Sequence, residues 1–193
     1  EMKVLGITGG VGAGKSTILE YLTRAYGARV IQADQVGHHL MEPGQRCYYQ
    51  IVEIFGSGML KGDQTIDREK LGKLVFADKE KLEKLNGIIH PAVKAYIAEE
   101  IEKERKNGKV PFVAVEAALL IEDHYDVICD EIWYIYVDEK TREKRLASSR
   151  GYSEEKTKSI LRSQLSDKRF RMACQFVVDN SSTIVENTYE QID

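Results

Sequence analysis

The chain has 193 residues, 42% of them apolar and 31% charged, with a net charge of −3. That length buries a real core as one α/β domain with inserted subdomains, and the balance excludes wholesale disorder. The net negative charge argues against a broad nucleic-acid surface, and no apolar run reaches the length of a membrane span, so neither partner is expected.

Helical and strand patterns alternate along the chain, which points to an α/β fold with a mainly parallel sheet flanked by helices. A strand is expected near residues 3–8, followed by a Gly-rich loop. A helix then runs from about Lys15 to Tyr26, with Ile18, Leu22 and Ala25 on one face and Gly27 as its C-cap. A second short strand, 28–33, ends at Asp34. The middle of the chain predicts three successive helices. Asp67 caps one carrying Leu71, Leu74 and Val75, and Asp78 caps one carrying Leu82 and Leu85. Pro91 opens the third, which turns Val93, Ile97 and Ile101 inward and ends before Gly108. Residues 110–115 and 132–137 read as strands buried on both faces. A basic helical segment, 140–149, precedes Gly151, and Ser153 is expected to cap the next helix. Residues 176–179 form the last strand, and Ser181 or Ser182 opens a final helix.

The chain opens without a signal-peptide pattern, so a cytoplasmic location is expected. Cys47, Cys129 and Cys174 are odd in number, widely spaced and outside any C-x-x-C, which favours buried thiols over a disulfide framework or a zinc site. A monomer or weak homo-oligomer is the expectation for assembly.

The richest local signal is Gly9-Gly10-Val11-Gly12-Ala13-Gly14-Lys15-Ser16, which matches G-x-x-x-x-G-K-[ST] between a strand and a helix. Its backbone must wrap closely around phosphate oxygens, so small residues and unusual dihedrals are needed. Successive N–H groups then face one concavity, and the helix start adds a favourable dipole. ATP is the expected nucleotide, held by Gly10, Val11, Gly12, Ala13, Gly14, Lys15, Ser16 and Thr17. Lys15 would neutralise the β/γ-phosphates, and the Ser16 hydroxyl would ligate Mg²⁺. The motif leaves the acceptor open.

Asp34 follows the second strand, at the sheet edge where ligands bind in open α/β folds. It is a candidate base or orienting carboxylate for an attacking hydroxyl, with a helix cap as the alternative. Glu116 ends an apolar strand, the pattern of a carboxylate that holds Mg²⁺; an exposed strand-end acid is the plain alternative. Arg142, Lys144, Arg145 and Arg150 cluster after a strand, and Lys168, Arg169 and Arg171 form a second basic knot. Such runs are often solvated helix faces. A kinase, however, must neutralise the transferring group and exclude water, which a basic lid accomplishes. Arg150, beside Gly151, is the first candidate and Arg145 the second. The four histidines lack metal-ligand spacing as a set; His90 before Pro91 suits a cap or pocket.

Taken together, these residues closely resemble the dephospho-coenzyme A kinases, across essentially the whole chain. The resemblance runs from Gly6 to Thr17, through Ala33-Asp34, to Leu85-Asn86-Gly87-Ile88-Ile89-His90-Pro91-Ala92-Val93, which matches L-N-x-I-x-H-P-x-V and is more specific than the loop. Ala118-Leu119-Leu120-Ile121-Glu122, then Arg145-Leu146, Arg150, Gln164 and Asp179-Asn180 continue it. Three positions depart from the family pattern: Gln32 stands where an aspartate is common, Glu116 stands for the aspartate of h-h-h-D-x-P-L-L, and Ala118 replaces its proline.

The resemblance implies transfer of the γ-phosphate of ATP to the ribose 3′-hydroxyl of dephospho-CoA. Catalysis would rest on Asp34, Lys15 and Arg150. Arg145 and Asn180 would join the nucleotide side, and Leu85, His90 and Pro91 the acceptor side, with Ser16 and Glu116 toward Mg²⁺. The implied organisation is a nucleoside-monophosphate-kinase-like P-loop core (about 1–60, 109–138 and 172–193), a helical substrate subdomain (about 61–108) and a lid (about 139–171). A kinase for another small hydroxyl and a non-catalytic CoA sensor are the rivals. A GTP switch would need an N-K-x-D motif, which the chain lacks.

Overall fold

Short apolar runs form β1 (Lys3–Thr8), β2 (Arg29–Gln32), β3 (Phe112–Glu116), β4 (Glu131–Tyr136) and β5 (Phe176–Asp179). The computed structural model describes residues 1–151, 153, 155, 156, 158 and 165–193. The strands make one sheet in the order β2-β3-β1-β4-β5. The pairs β1 with β3, β1 with β4, and β4 with β5 are parallel. Parallel strands are covered on both faces, and Val113, Ala114 and Val115 are accordingly all 0% exposed. The register sets Ile7 beside Glu116 and Tyr136 beside Asp179, so the C-terminal ends of four neighbouring strands line up.

The chain divides into two compact units, residues 1–31 with 104–193 and residues 32–103. In the first, α1 (Lys15–Tyr26) buries Ile18, Leu19, Tyr21 and Leu22. Ile18, Leu19 and Leu22 share a core with Leu5, Ile7, Ile135, Val137 and Val178. The helix ends on Gly27 at φ 70, where the Gly27 and Ala28 N–H groups bond the carbonyls of Thr23 and Leu22. The same unit holds α6 (Glu139–Arg150), α7 (Asp167–Ala173) and α8 (Val185–Ile192). Asp138 caps α6 by accepting from the Thr141 N–H at 2.8 Å. The Lys156 N–H donates to the Ser153 hydroxyl at 3.1 Å, as expected of a cap.

The second unit contains α2 (Ala33–Leu40), α3 (Tyr48–Phe55), α4 (Arg68–Phe76) and most of α5 (Lys79–Asn107). Asp67 caps α4 and Asp78 caps α5 through side-chain bonds to backbone N–H groups. The expected break at Pro91 is absent: a single helix of 29 residues runs through it. Leu85, Val93, Ile97 and Ile101 fall on one buried stripe, while Pro91 is exposed. Burial of that continuous stripe holds the helix together despite the missing donor. Leu82, expected inward, is 39% exposed. The unit reaches back to Gln32, ahead of the boundary at 61, because α2 and the turn before α3 pack onto α5. A methyl at Gly37 would touch Ile89 and Val93 at 3.6 and 3.8 Å, and Arg46 pairs with Glu99 at 2.8 Å.

No described helix is long and apolar enough to cross a membrane. Burial pushes the Cys129 and Cys174 thiols up to about 12 and about 11, and that of Cys47 upward too, so all three free cysteines are poor nucleophiles.

Candidate functional site

The Gly-rich loop leaves β1 at Thr8 and becomes α1 at Lys15. Two glycines are dictated by their surroundings. A Cβ on Gly9 would lie 2.7 Å from the Ile135 carbonyl oxygen. Gly14 caps α1 at φ 75, and a Cβ there would lie 2.5 Å from Asn180 Nδ2.

Backbone carbonyls of the loop are held by side chains. Lys15 Nζ donates to the Gly9 carbonyl at 2.8 Å. Arg142 Nε donates to that of Val11 at 3.1 Å. Asn180 Nδ2 donates to that of Ala13 at 2.8 Å and approaches that of Gly14 at 3.5 Å. No described peptide bond is cis. In a trans peptide the N–H points opposite to its own C=O. Holding the carbonyls of residues 9, 11 and 13 therefore turns the N–H groups of Gly10, Gly12 and Gly14 the other way. That is how a backbone concavity for an anion is built without a charged side chain at each position.

Lys15 supplies a positive charge at the loop. Its ammonium lies 3.4 Å from Glu116 Oε1, and both side chains are mostly buried (15% and 13% exposed). Glu116 thus ends β3 as expected, and its described partner is the loop lysine. Ser16 and Thr17 occupy the first turn of α1, where Ser16 is exposed.

The basic segment bears on the loop through its front half. Arg142 is desolvated, which lowers its pKa, and Leu146 is 1% exposed and lies under Gly12. Arg145 Nη2 donates to the Asn180 carbonyl at 2.7 Å. Residues 139–146, expected within a lid, are therefore seated against the loop. Arg150 ends α6, but its side chain lies outside the described part, as does Gln164. The second basic knot is also anchored: Arg171 pairs with Asp167 at 2.8 Å, and Asp167 accepts from the Tyr134 hydroxyl at 2.8 Å. Arg142 belongs to the same basic cluster as Arg150 and Arg145. Its i,i+3 spacing from Arg145 was the signal that both address one surface. Thr188, buried at 0% exposure behind Asn180, had no sequence signal.

Asp34, Leu85, His90 and Pro91 belong to the second unit. Asp34 is the second residue of α2, whose N-cap is Gln32, so it does not cap that helix. It is exposed, as is Pro91, while Leu85 is buried and His90 half-buried. Asp34 lies two residues along the chain from the last residue of β2. Among the described residues, no group of three or more His, Cys, Asp or Glu side chains is arranged to hold a metal.

The sequence model for dephospho-CoA kinase matches residues 3–186. A dephospho-CoA kinase from Symbiobacterium thermophilum is 37% identical over 193 residues, covering 100% of this chain and 79% of the relative. One from Carboxydothermus hydrogenoformans is 36% identical, covering 99% and 91%. Among solved structures, the dephospho-CoA kinase from Campylobacter jejuni covers 100% of this chain and 94% of its own, at TM-score 0.74 and 26% identity. A shikimate kinase from Acinetobacter baumannii covers 99% and 90% at TM-score 0.55 and 12% identity, a likeness of fold alone.

Proposed function

The chain belongs to the dephospho-CoA kinase family, and from that premise we propose how its residues divide the work. The reaction is phosphorylation of the ribose 3′-hydroxyl of dephospho-CoA by ATP, the last step of coenzyme A biosynthesis. The first unit takes ATP, with the loop and helix start of residues 10–17 around its phosphates. The observation that carries this assignment is the loop itself, whose carbonyls are bonded outward while Lys15 stands between Gly9 and Glu116. Phosphate oxygens replace Glu116 as the lysine's anionic partner when ATP binds. Phosphoryl transfer needs little covalent help, so positioning and charge stabilisation dominate.

The second unit takes the acceptor. Asp34 orients the attacking hydroxyl and receives its proton, a role suited to an exposed carboxylate in the first turn of a helix. Leu85, His90 and Pro91 lie on α5, which supplies the acceptor-binding surface. Arg150 contributes charge to the transferring group, with Arg145 and Asn180 fixing the nucleotide side. The oxygen donors of Ser16 and Glu116 fit Mg²⁺, which is hard and keeps several waters and phosphate ligands. When bound, it would neutralise charge on the phosphates. The enzyme is proposed to work in the cytoplasm, as a monomer or weak oligomer.

The decisive test offers dephospho-CoA, AMP, CMP and shikimate as acceptors and follows ADP release, with mass spectrometry of the product. Only dephospho-CoA is expected to accelerate ADP release and to yield CoA. Acceleration by one of the other acceptors alone would overturn the substrate assignment.

A further inference from the structure

Asn180 sits at the end of β5 with 6% of its surface exposed. Both ends of its amide are engaged. The Nδ2 group faces the loop carbonyls of Ala13 and Gly14. Carbonyls only accept, so nitrogen must face them, and the amide oxygen must then point away from the loop. There it accepts from the Thr188 hydroxyl at 2.8 Å. The backbone of Asn180 is equally constrained. Its N–H donates to Tyr136 at 2.7 Å, and its carbonyl accepts from Arg145.

Thr188 is held as firmly. It lies on α8, which is tied to β5 by Gln191, bonded to the Asp179 N–H at 2.8 Å and to the Asp179 carbonyl at 2.7 Å. The same helix is tied to α1 by the stack of Tyr189 on Tyr21, centroids 3.8 Å apart. A buried hydroxyl on a docked helix is thus seated against the Asn180 amide oxygen and holds the side chain in place from the side away from the loop.

We propose that Thr188 is a positioning residue for ATP: its hydroxyl fixes the Asn180 amide, which fixes the Ala13 carbonyl, which turns the Gly14 N–H toward the nucleotide phosphates. This rests on reading the loop as the ATP cradle. Thr188 touches no substrate. Its removal leaves a buried amide oxygen without a donor and loosens the side chain that holds the Ala13 carbonyl, so the effect falls on ATP and spares the acceptor.

The test compares Thr188→Val, Thr188→Ser and Asn180→Ala by titration with ATP, by the split of KM against kcat for each substrate, and by melting temperature. Thr188→Val is expected to weaken ATP about five- to tenfold, the scale of one lost hydrogen bond. The dephospho-CoA KM and the kcat at saturating ATP should stay within about twofold, and Thr188→Ser should restore the ATP affinity. Normal ATP affinity in Thr188→Val with weakened affinity in Asn180→Ala would overturn the role of Thr188 and leave the loop reading intact. Normal affinity in both would remove the Asn180 clamp as well. Equal loss for both substrates without rescue by serine would mark Thr188 as structural and overturn the proposal. Should the valine variant not fold, Thr188→Ala is read by the same criteria.

Discussion

The two units solve opposite problems. The first is proposed to present backbone to its ligand, and side chains hold that backbone, two from distant parts of the chain (Arg142 on Val11, Asn180 on Ala13) and one from the loop itself (Lys15 on Gly9). The second buries an apolar stripe of one long helix and leaves its functional candidates Asp34 and Pro91 at the surface. A phosphate cradle made of N–H groups has no side chains to tune, so its specificity lies in peptide-plane orientation. A site that must move a proton needs a carboxylate that substrate can reach. Damage to the side chains that hold the loop backbone should therefore appear as lost nucleotide affinity, and damage at Asp34 as lost turnover.

The largest expected effect comes from Asp34→Ala. If Asp34 orients the hydroxyl as proposed, its removal should lower kcat by about 10²–10⁴-fold, the usual range for a general base. ATP affinity by calorimetry should stay within about twofold of normal, and the melting temperature should not move, because Asp34 is exposed. Near-normal turnover would remove Asp34 from catalysis, and a matching loss of ATP affinity would dissolve the contrast between the units.

Gly14→Ala tests the other half. The methyl demands φ 75 of an L-residue and meets Asn180 Nδ2 at 2.5 Å. Asn180 cannot swing aside without releasing the Ala13 carbonyl. ATP affinity should fall at least about tenfold, and urea titration should show about 1–3 kcal/mol of lost stability. An alanine variant that binds ATP normally would mean that the loop tolerates rotation of this peptide.

How much of this was legible in the sequence follows from how local each feature is. The strand-loop-helix of residues 3–26, Gly27 as C-cap, and the caps Asp67 and Asp78 depend on neighbours within a few residues, and each is where the sequence puts it. The helix through Pro91 was not legible, because the local rule for proline is overridden by the stripe Leu85, Val93, Ile97 and Ile101. The bonds Arg142 to Val11 and Asn180 to Ala13 span 131 and 167 residues, and only the sheet order brings them together. The sequence marked Arg145 and Asn180 for the nucleotide side; that Asn180 holds the Ala13 carbonyl and Arg145 holds the Asn180 carbonyl is a property of the fold.

The smallest effect is expected at the start of α6, where the contrast can be sharpened by a change that touches neither substrate. Asp138 caps the helix, and the bond from the Thr141 N–H holds its carboxyl below the usual carboxylate range. A carboxyl with a lowered folded pKa stabilises the fold at pH values above its unfolded pKa of about 3.9. That contribution is lost as pH falls through the folded value, because the unfolded chain then binds the proton more readily. Asp138→Ala should lower the melting temperature by a few degrees at neutral pH, and the gap from the parent should close in strong acid. ATP affinity should change by no more than about threefold, since Arg142 and Leu146 still seat the helix on the loop. A gap that persists unchanged in acid would show that the cap acts through packing instead of charge. A large loss of ATP affinity would show that the loop depends on the start of α6 as strongly as on Asn180.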